Sequence, residues 1–473
     1  MQSCLRYTIL FSAIFFYSSF CGAQSLDTTL ALWEQNSVFD GSIIGLSVRD
    51  LSNDKLIYEH NGDVNLCPAS SLKAITTGIA LNRLGPSYTF RTSLSLTVMN
   101  GDTCLVIKGS GDPTMGSMRF FQQENAHNIL HNLVDGLLDL QGVMSIKRIY
   151  IDRGNWPTNP IPVDYGHEDL GKHYGAVAHS INLNENVLRA YLQREKSYDQ
   201  PWSLQLVPNI HTTLDTIVYE VQDSSASSLG LIYPMGTSSM LVRGKMRHGY
   251  WRMRIESALH NPESTALSIL KEKLTSLGNK TVEIGGNFQS YQHNIIDIVN
   301  YESPTLDSIA HKTNTWSVNV FADGLMKNLM VHDNLSSPQE VIKEYAQDYG
   351  INKVSYRITD GSGLSRSNII STNLMTRLIN SFAEHQPYSD FQNSLAILGG
   401  EGTLETLVSD DSPAKGRVFA KSGGLTGVLS YTGIVQTNQG KWLSFSLIMN
   451  HHVAKNELLR KYMSDFFESL TEL

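Results

Sequence analysis

The stretch from Cys67 to Pro86 constrains this chain more than any other, because it reads as one helix with both ends marked. Pro68 sits just before the start, Leu72, Ile75 and Ile79 recur at helical spacing, and Gly85-Pro86 stops the run. Ser70 and Lys73 then lie one turn apart on a shared face, off the apolar stripe. A hydroxyl at that point is near the positive end of the helix dipole, beside an amine that could take its proton. The tetrapeptide alone is a weak signal, since Ser-x-x-Lys recurs at Ser52 and Lys55, Ser268 and Lys271, and Ser412 and Lys415. Read by itself, Ser70 is better explained as a helix N-cap, the commonest role for Ser at a helix start.

A chain of 473 residues is too long for one compact core, so two or three domains are expected. Apolar content of 41% and charged content of 17% describe a globular protein. The net charge of −8 is spread along the chain, which excludes a basic nucleic-acid surface. The first residues read as a targeting segment: one basic side chain before Tyr7, an apolar run from Tyr7 to Phe20, and small residues at Gly22-Ala23. A signal peptide over 1–23, cleaved after Ala23, is expected, and with it an exported, periplasmic or otherwise extracytoplasmic protein. A lipoprotein reading would acylate Cys21, but bulky Phe20 directly before it argues against that. No other run is long enough for a membrane helix, so no transmembrane anchor is expected in the mature chain. Two cysteines remain after cleavage, Cys67 and Cys104. They are either a disulfide or two separate buried thiols. No Cys-x-x-Cys or His-Glu-x-x-His spacing occurs, and His167 and His173, six apart, cannot share a helix face. Neither metal nor cofactor is expected.

Near the N-terminus, Ser42 to Leu51 and Lys55 to His60 read as a hairpin across Ser52-Asn53-Asp54. Near the C-terminus, Arg417 to Ser422, Val428 to Val435 and Trp442 to Met449 read as strands. A closing helix over Asn456 to Leu470 should bury several of Leu458, Leu459, Tyr462, Met463, Phe466 and Phe467. The two chain ends would build one antiparallel five-stranded sheet covered by helices, a discontinuous domain of residues 24–86 and 304–473. The intervening 87–303 has short apolar runs, such as Thr92 to Val98, Cys104 to Lys108, Arg148 to Ile151, Ser203 to Val207 and Thr216 to Val221. Turn signals separate them, including Gly109-Ser110-Gly111-Asp112-Pro113 and the polar stretch Gln222 to Ser228. A β-rich insertion of one or two subdomains is expected there.

Two further motifs complete a constellation. Ser317-Val318-Asn319 opens a helical run through Val320, Phe321, Leu325 and Leu329. Lys421-Ser422-Gly423, the only Lys-[Ser/Thr]-Gly in the chain, ends a strand, and Gly424 follows it. Alone, the first could be a helix cap and the second a strand running into a turn. Together and in this order, the three motifs resemble the penicillin-binding proteins and serine β-lactamases. The long stretch between Lys73 and Ser317 narrows the likeness to the D-alanyl-D-alanine carboxypeptidase/endopeptidase family, the low-molecular-mass class C penicillin-binding proteins. Pro68-Ala69-Ser70, Gly111-Asp112-Pro113, Tyr174-Gly175-Ala176, Asp360 to Arg366, Gly402-Thr403-Leu404 and Leu425-Thr426-Gly427 agree with it.

The resemblance implies an α/β (α+β) penicillin-recognising serine transferase fold and a DD-peptidase acting on peptidoglycan stem peptides or crosslinks, with β-lactams as covalent inhibitors. Ser70 would be acylated, with Lys73 as its base. Ser317 would relay a proton to the leaving amine, and Asn319 would hold the substrate peptide and orient Lys73. Lys421 would supply positive potential, Ser422 would bind the terminal carboxylate, and the N–H groups of Ser70 and Gly424 would form the oxyanion hole. Gly424 departs from the family, which usually carries a hydroxyl residue there. Other readings are a β-lactamase or esterase on the same fold, and a catalytically weak penicillin-binding sensor or scaffold.

Overall fold

The computed structural model describes residues 25–120, 125–141, 145–157, 159–162, 164–194, 202–210, 213–221, 228–232, 239–247, 252–288, 298–352, 355–383 and 388–473. The expected signal peptide lies outside them, as does nearly all of the polar stretch Gln222 to Ser228.

Residues from both ends of the chain form one antiparallel sheet, in the spatial order Ala396–Ile397, Val418–Leu425, Val428–Gln436, Trp442–Asn450, Ile43–Asp50, Leu56–His60. The five expected strands are present; the sixth, Ala396–Ile397, is two residues long and carries too little pattern to read in sequence. Period-two alternation sorts the sheet into two faces. Ile44, Leu46, Val48, Leu429, Tyr431, Val435, Leu443, Phe445, Leu447 and Met449 belong to a core shared with the terminal helices. There Leu26–Glu34 meets Met463–Thr471, with the Trp33 and Phe466 rings 5.9 Å apart and Phe466 fully buried.

The opposite face is built of smaller residues. Ser47 bonds Thr376 on the helix Thr372–Ala383, and Thr432 bonds Ser446. A Cβ at Gly45 would run into Leu66 and Thr372. Small residues here let the helix lie close on the sheet, and it carries Phe382 onto Gly78 of the Leu72–Leu84 helix, which leaves no room for a Cβ at Gly78. Around that buried helix pack Leu306–Trp316, Asn319–Asp333 and Pro338–Asp348.

Two expectations are corrected here. The closing helix is two helices, Asn456–Arg460 and Met463–Thr471. The break at Lys461-Tyr462 shifts the register, so that Leu458 faces solvent, while Tyr462 packs edge-on against Phe39 and accepts a hydrogen bond from Asn36. The strand carrying Lys421 does not end at the motif either. It runs through Gly423 and Gly424 to Leu425, paired with Ser430, Leu429 and Val428.

Between the two halves of that sheet the chain forms a second, mixed five-stranded sheet, in the order Glu283–Asn287, Ile146–Asp152, Asp102–Lys108, Arg91–Met99, Ile298–Glu302. Its parallel pairs require crossovers. The helix Ala126–Gln141 is one of them, and Pro262–Ser276 precedes the other parallel strand. This part of the insertion is therefore an α/β unit rather than a purely β one. Two three-stranded sheets accompany it. Cys67 and Cys104 are separate buried thiols. Among the described residues no helix is long and apolar enough to cross a membrane.

The terminal helix is a direct test of this packing. Phe466→Ala should cost about 3–5 kcal/mol, read as a lowered midpoint in urea unfolding; an unchanged midpoint would mean the ring is not packed.

Candidate active site

Ser70 sits in a single 3-10 turn, Ala69–Ser71, that leads into the helix Leu72–Leu84. Its hydroxyl caps nothing. The N-cap of the α-helix is Ser71, which bonds the Pro68 carbonyl instead. The Pro68 carbonyl also takes the hydroxyl of Ser430 at 2.5 Å, which ties the turn to the sheet. Asn450 grips the preceding residue through both its amide atoms, accepting from Cys67 N and donating to Cys67 O. Ala69 holds φ at 47°, a left-handed conformation that a side chain adopts only when its surroundings fix it.

Lys73 is fully buried, and its Nζ touches three oxygens: Ser70 Oγ at 2.8 Å, Asn319 Oδ1 at 2.6 Å and the Ser362 carbonyl at 2.7 Å. Among the described residues no carboxylate is in contact. Burial therefore dominates and lowers its pKa from 10.5 to about 7, with Asp360 at longer range pulling the other way.

Asp360 organises the loop that supplies the Ser362 carbonyl. Its carboxylate accepts from the N–H groups of Ser362, Gly363 and Ser365, the Ser362 hydroxyl and the Asn368 amide. Gly363, at φ 80°, lies so close to the nucleophile turn that a Cβ would come within 1.8 Å of the Ala69 carbonyl oxygen. Thr76 donates to the Gly361 carbonyl and closes the loop on the helix.

Asn319 is the first residue of the helix Asn319–Asp333, and its Nδ2 donates to the Tyr174 carbonyl at 2.7 Å. Ser317 ends the preceding helix in a left-handed conformation, φ 58° and ψ 41°. The Ser-x-Asn motif thus spans the break between two helices, and the cap of the second is Val318, without a side-chain bond. The Ser317 hydroxyl is joined to neither Ser70 nor Lys73.

Lys421 is fully buried on its strand, with Nζ 2.5 Å from the Ser422 carbonyl. Burial, and then the proximity of Lys73, hold its pKa well below the usual lysine value. Gly423 faces the nucleophile turn: a Cβ would fall 2.2 Å from Ser430 Oγ and 2.7 Å from Ser71 N. Gly424 is different. Its φ is not left-handed, and a Cβ would meet the tip of the Asn456 side chain at 3.1 Å and the Val428 carbonyl oxygen at 3.9 Å.

The other Ser-x-x-Lys copies make no such pair. Ser268 bonds Ser264 on its own helix, and Ser412 bonds Glu468 while Lys415 pairs with Asp410. Sequence reasoning assigned no role to Ser362, Asp360, Ser430, Asn450 or Tyr174. Asp360 and Tyr174 lie in stretches that match the family, whereas Ser430 and Asn450 stand on strands with no motif around them. Among the described residues no group of acidic, histidine or cysteine side chains could hold a metal ion.

A buried lysine against a serine at a helix start, beside a Lys-Ser-Gly strand, on a sheet made from both chain ends, is an arrangement that penicillin-binding proteins and serine β-lactamases have in common. The chain belongs to the D-Ala-D-Ala carboxypeptidase 3 (S13) family, whose profile matches residues 24–470. It is 23% identical to a D-alanyl-D-alanine carboxypeptidase of Actinomadura sp. (strain R39), covering 88% of this chain and 79% of that one. It is 22% identical to the D-alanyl-D-alanine carboxypeptidase DacB of Haemophilus influenzae, covering 94% and 91%. The crystal structure of penicillin binding protein 4 (dacB) from Haemophilus influenzae shares the fold, with a TM-score of 0.78 at 20% identity over 94% of this chain and 99% of that one.

The depressed Lys73 pKa fixes a sign. Raising pH through about 7 removes the proton from Lys73, so a reaction in which Lys73 takes the proton of Ser70 should accelerate across that range and level off above it. Stopped-flow acylation by a chromogenic β-lactam at a series of pH values reads the limb; a limb near the ordinary lysine value would overturn the reading.

Proposed function

We propose that Ser70 is the nucleophile, and that Lys73 removes its proton in the neutral form. The observation that carries this reading is the set of partners around Lys73 Nζ. Asn319 Oδ1 and the Ser362 carbonyl can only accept. A neutral amine spends its two N–H groups on them, which leaves its lone pair toward Ser70 Oγ, 2.8 Å away. Ser70 Oγ then attacks the carbonyl between two D-alanines. The N–H groups of Ser70 and Gly424 hold the developing oxyanion, and the proton reaches the leaving amine by way of Ser317. Water hydrolyses the acyl-enzyme. Asn319 holds the substrate peptide, Ser422 receives the terminal carboxylate, and Lys421 attracts it once that carboxylate favours the ammonium form. Lys421, Ser422, Gly423 and Gly424 line the substrate's side of the site.

Free stem peptides present a D-alanyl-D-alanine bond with a free carboxylate, and crosslinks present a D-alanyl bond to an amine of the neighbouring stem. We take both as substrates, with β-lactams as acylating inhibitors and an exported, periplasmic location. The relatives' carboxypeptidase names, the family match and the leader-like start of the sequence support this reading.

Ser70→Ala should abolish covalent labelling by a fluorescent penicillin on a denaturing gel, while Ser268→Ala and Ser412→Ala keep it. A labelled Ser70→Ala band would remove the nucleophile assignment. Incubation with purified crosslinked muropeptides and mass analysis separates carboxypeptidase from endopeptidase action, and no cleavage of either with labelling intact would favour the sensor reading.

Gly424 generates a further expectation. A hydroxyl there could add a hydrogen bond to the substrate carboxylate; the backbone at this position accepts a side chain, provided the Asn456 amide gives way by a few tenths of an ångström. Gly424→Ser should raise kcat/KM on peptides ending in free D-alanine by about ten- to a hundredfold, without raising it on a neutral thioester. A parallel fall on both substrates would mean that the glycine serves backbone shape.

A further inference from the structure

The segment from Pro160 to Ala178 belongs to the insertion, yet it reaches both of the groups that hold Lys73. The Tyr174 carbonyl takes Asn319 Nδ2 at 2.7 Å. A carbonyl can only accept, so this contact decides that Nδ2 faces the insertion and Oδ1 faces Lys73. On the other side, the Tyr165 hydroxyl lies 3.3 Å from the Ser362 hydroxyl, and Ser365 donates to the Asp164 carbonyl.

The segment is itself held at its two ends by one side chain. Lys327 Nζ donates to the Pro160 carbonyl at 2.5 Å, to the Ala178 carbonyl at 3.0 Å and to Asp323 Oδ2 at 2.7 Å. Asp323 Oδ2 also receives the Ala178 N–H at 3.4 Å. Asn319, Asp323 and Lys327 fall on successive turns of one helix face, so the residue that touches Lys73 and the pair that closes the loop are set by one rigid element. Asp323 and Lys327 are only 2% and 6% exposed. A buried ion pair is a poor source of stability, because desolvation offsets most of the attraction. Its three spent donors instead fix geometry.

We propose that Lys327, seated on Asp323, is a positioning residue for Ser70 acylation: it closes the Pro160–Ala178 segment against the helix, and through the Tyr174 carbonyl fixes which atom of Asn319 faces Lys73. This rests on Lys73 being the base, which the wild-type pH profile and Ser70→Ala test separately.

The experiment is a double-mutant cycle in the full chain, with Lys327→Met and Asn319→Ala, reading the β-lactam acylation rate against pH beside thermal unfolding. Lys327→Met alone should slow acylation roughly ten- to a hundredfold. Its limb should move to lower pH, because an amide free to turn its NH2 toward Lys73 disfavours the ammonium. Asp360 and Lys421, the charges that face Lys73, are untouched by the change. In the Asn319→Ala background the same substitution should change the rate less than about twofold. An equal loss in both backgrounds, or an unmoved limb, would reduce Lys327 to a structural residue; an unchanged rate would remove it altogether. Should Lys327→Met fail to fold, Asp323→Asn keeps the size and an acceptor while removing the charge that seats the ammonium, and the same outcomes decide.

Discussion

The site depends on one constraint, a lysine amine taken wholly out of water without a carboxylate to neutralise it. An ion pair at Lys73 would have kept the ammonium form and made the residue useless as a base at neutral pH. Backbone and amide oxygens instead satisfy its N–H groups while leaving its charge poorly compensated. The acid that does act on it, Asp360, spends its oxygens on five donors of its own loop. It therefore shapes the loop that delivers the Ser362 carbonyl and acts on Lys73 only across a distance.

Such an arrangement must be rigid, since a small displacement would let a carboxylate or water reach the amine. Rigidity comes from close backbone approach at two glycines. Gly363 leaves space for Ala69 and Gly423 leaves space for Ser430 and Ser71, so the nucleophile turn is gripped from the loop and from the sheet. The Pro68 carbonyl, taking hydroxyls from Ser71 and Ser430, locks the same turn from below. The left-handed Ala69 is tolerated because these contacts over-determine it.

Much of this is legible in the sequence, and the rest fails to be for definite reasons. The helix of Ser70, the hairpin at the N-terminal end and the three C-terminal strands announce themselves by periodicity and turn chemistry, so the sheet built from both chain ends follows. The helix Ala126–Gln141 also carries its apolar residues at helical spacing, Ile129, Leu130, Leu133, Val134 and Leu137, and all five are buried. The insertion is β-rich as expected, and this helix is the part left unread, its period hidden among the short apolar runs around it. Lys421 to Gly424 looks like a strand end because glycines usually interrupt strands; here they continue it, paired with Ser430 and Leu429, and at Gly423 the Ser430 side chain and the turn's backbone occupy the space a side chain would fill. Ser430, Asn450 and Lys327 act through contacts hundreds of positions away or with main-chain oxygens, and no local pattern marks such partners. The hydroxyl of Ser317, quoted for its motif, has no bond to the Ser–Lys pair that spacing could have foretold.

Lys421 adds the last element of the logic. It too is buried, among the described residues without an acidic partner, and burial and the neighbouring Lys73 both disfavour its charge. The pair can therefore carry one proton far more easily than two. A substrate carboxylate settling at Ser422 would favour the ammonium on Lys421, and that charge in turn pushes Lys73 further toward the neutral amine. On the roles proposed for Lys73 and Ser422, recognition of the free carboxylate and generation of the base would be linked through two side chains that never need to touch. Under that proposal, substrates with and without a carboxylate should begin to acylate Ser70 at different pH, and equal onsets would remove the linkage. A site that used a charged partner to hold Lys73 would have no such dependence, because its base would already be committed before the substrate arrived.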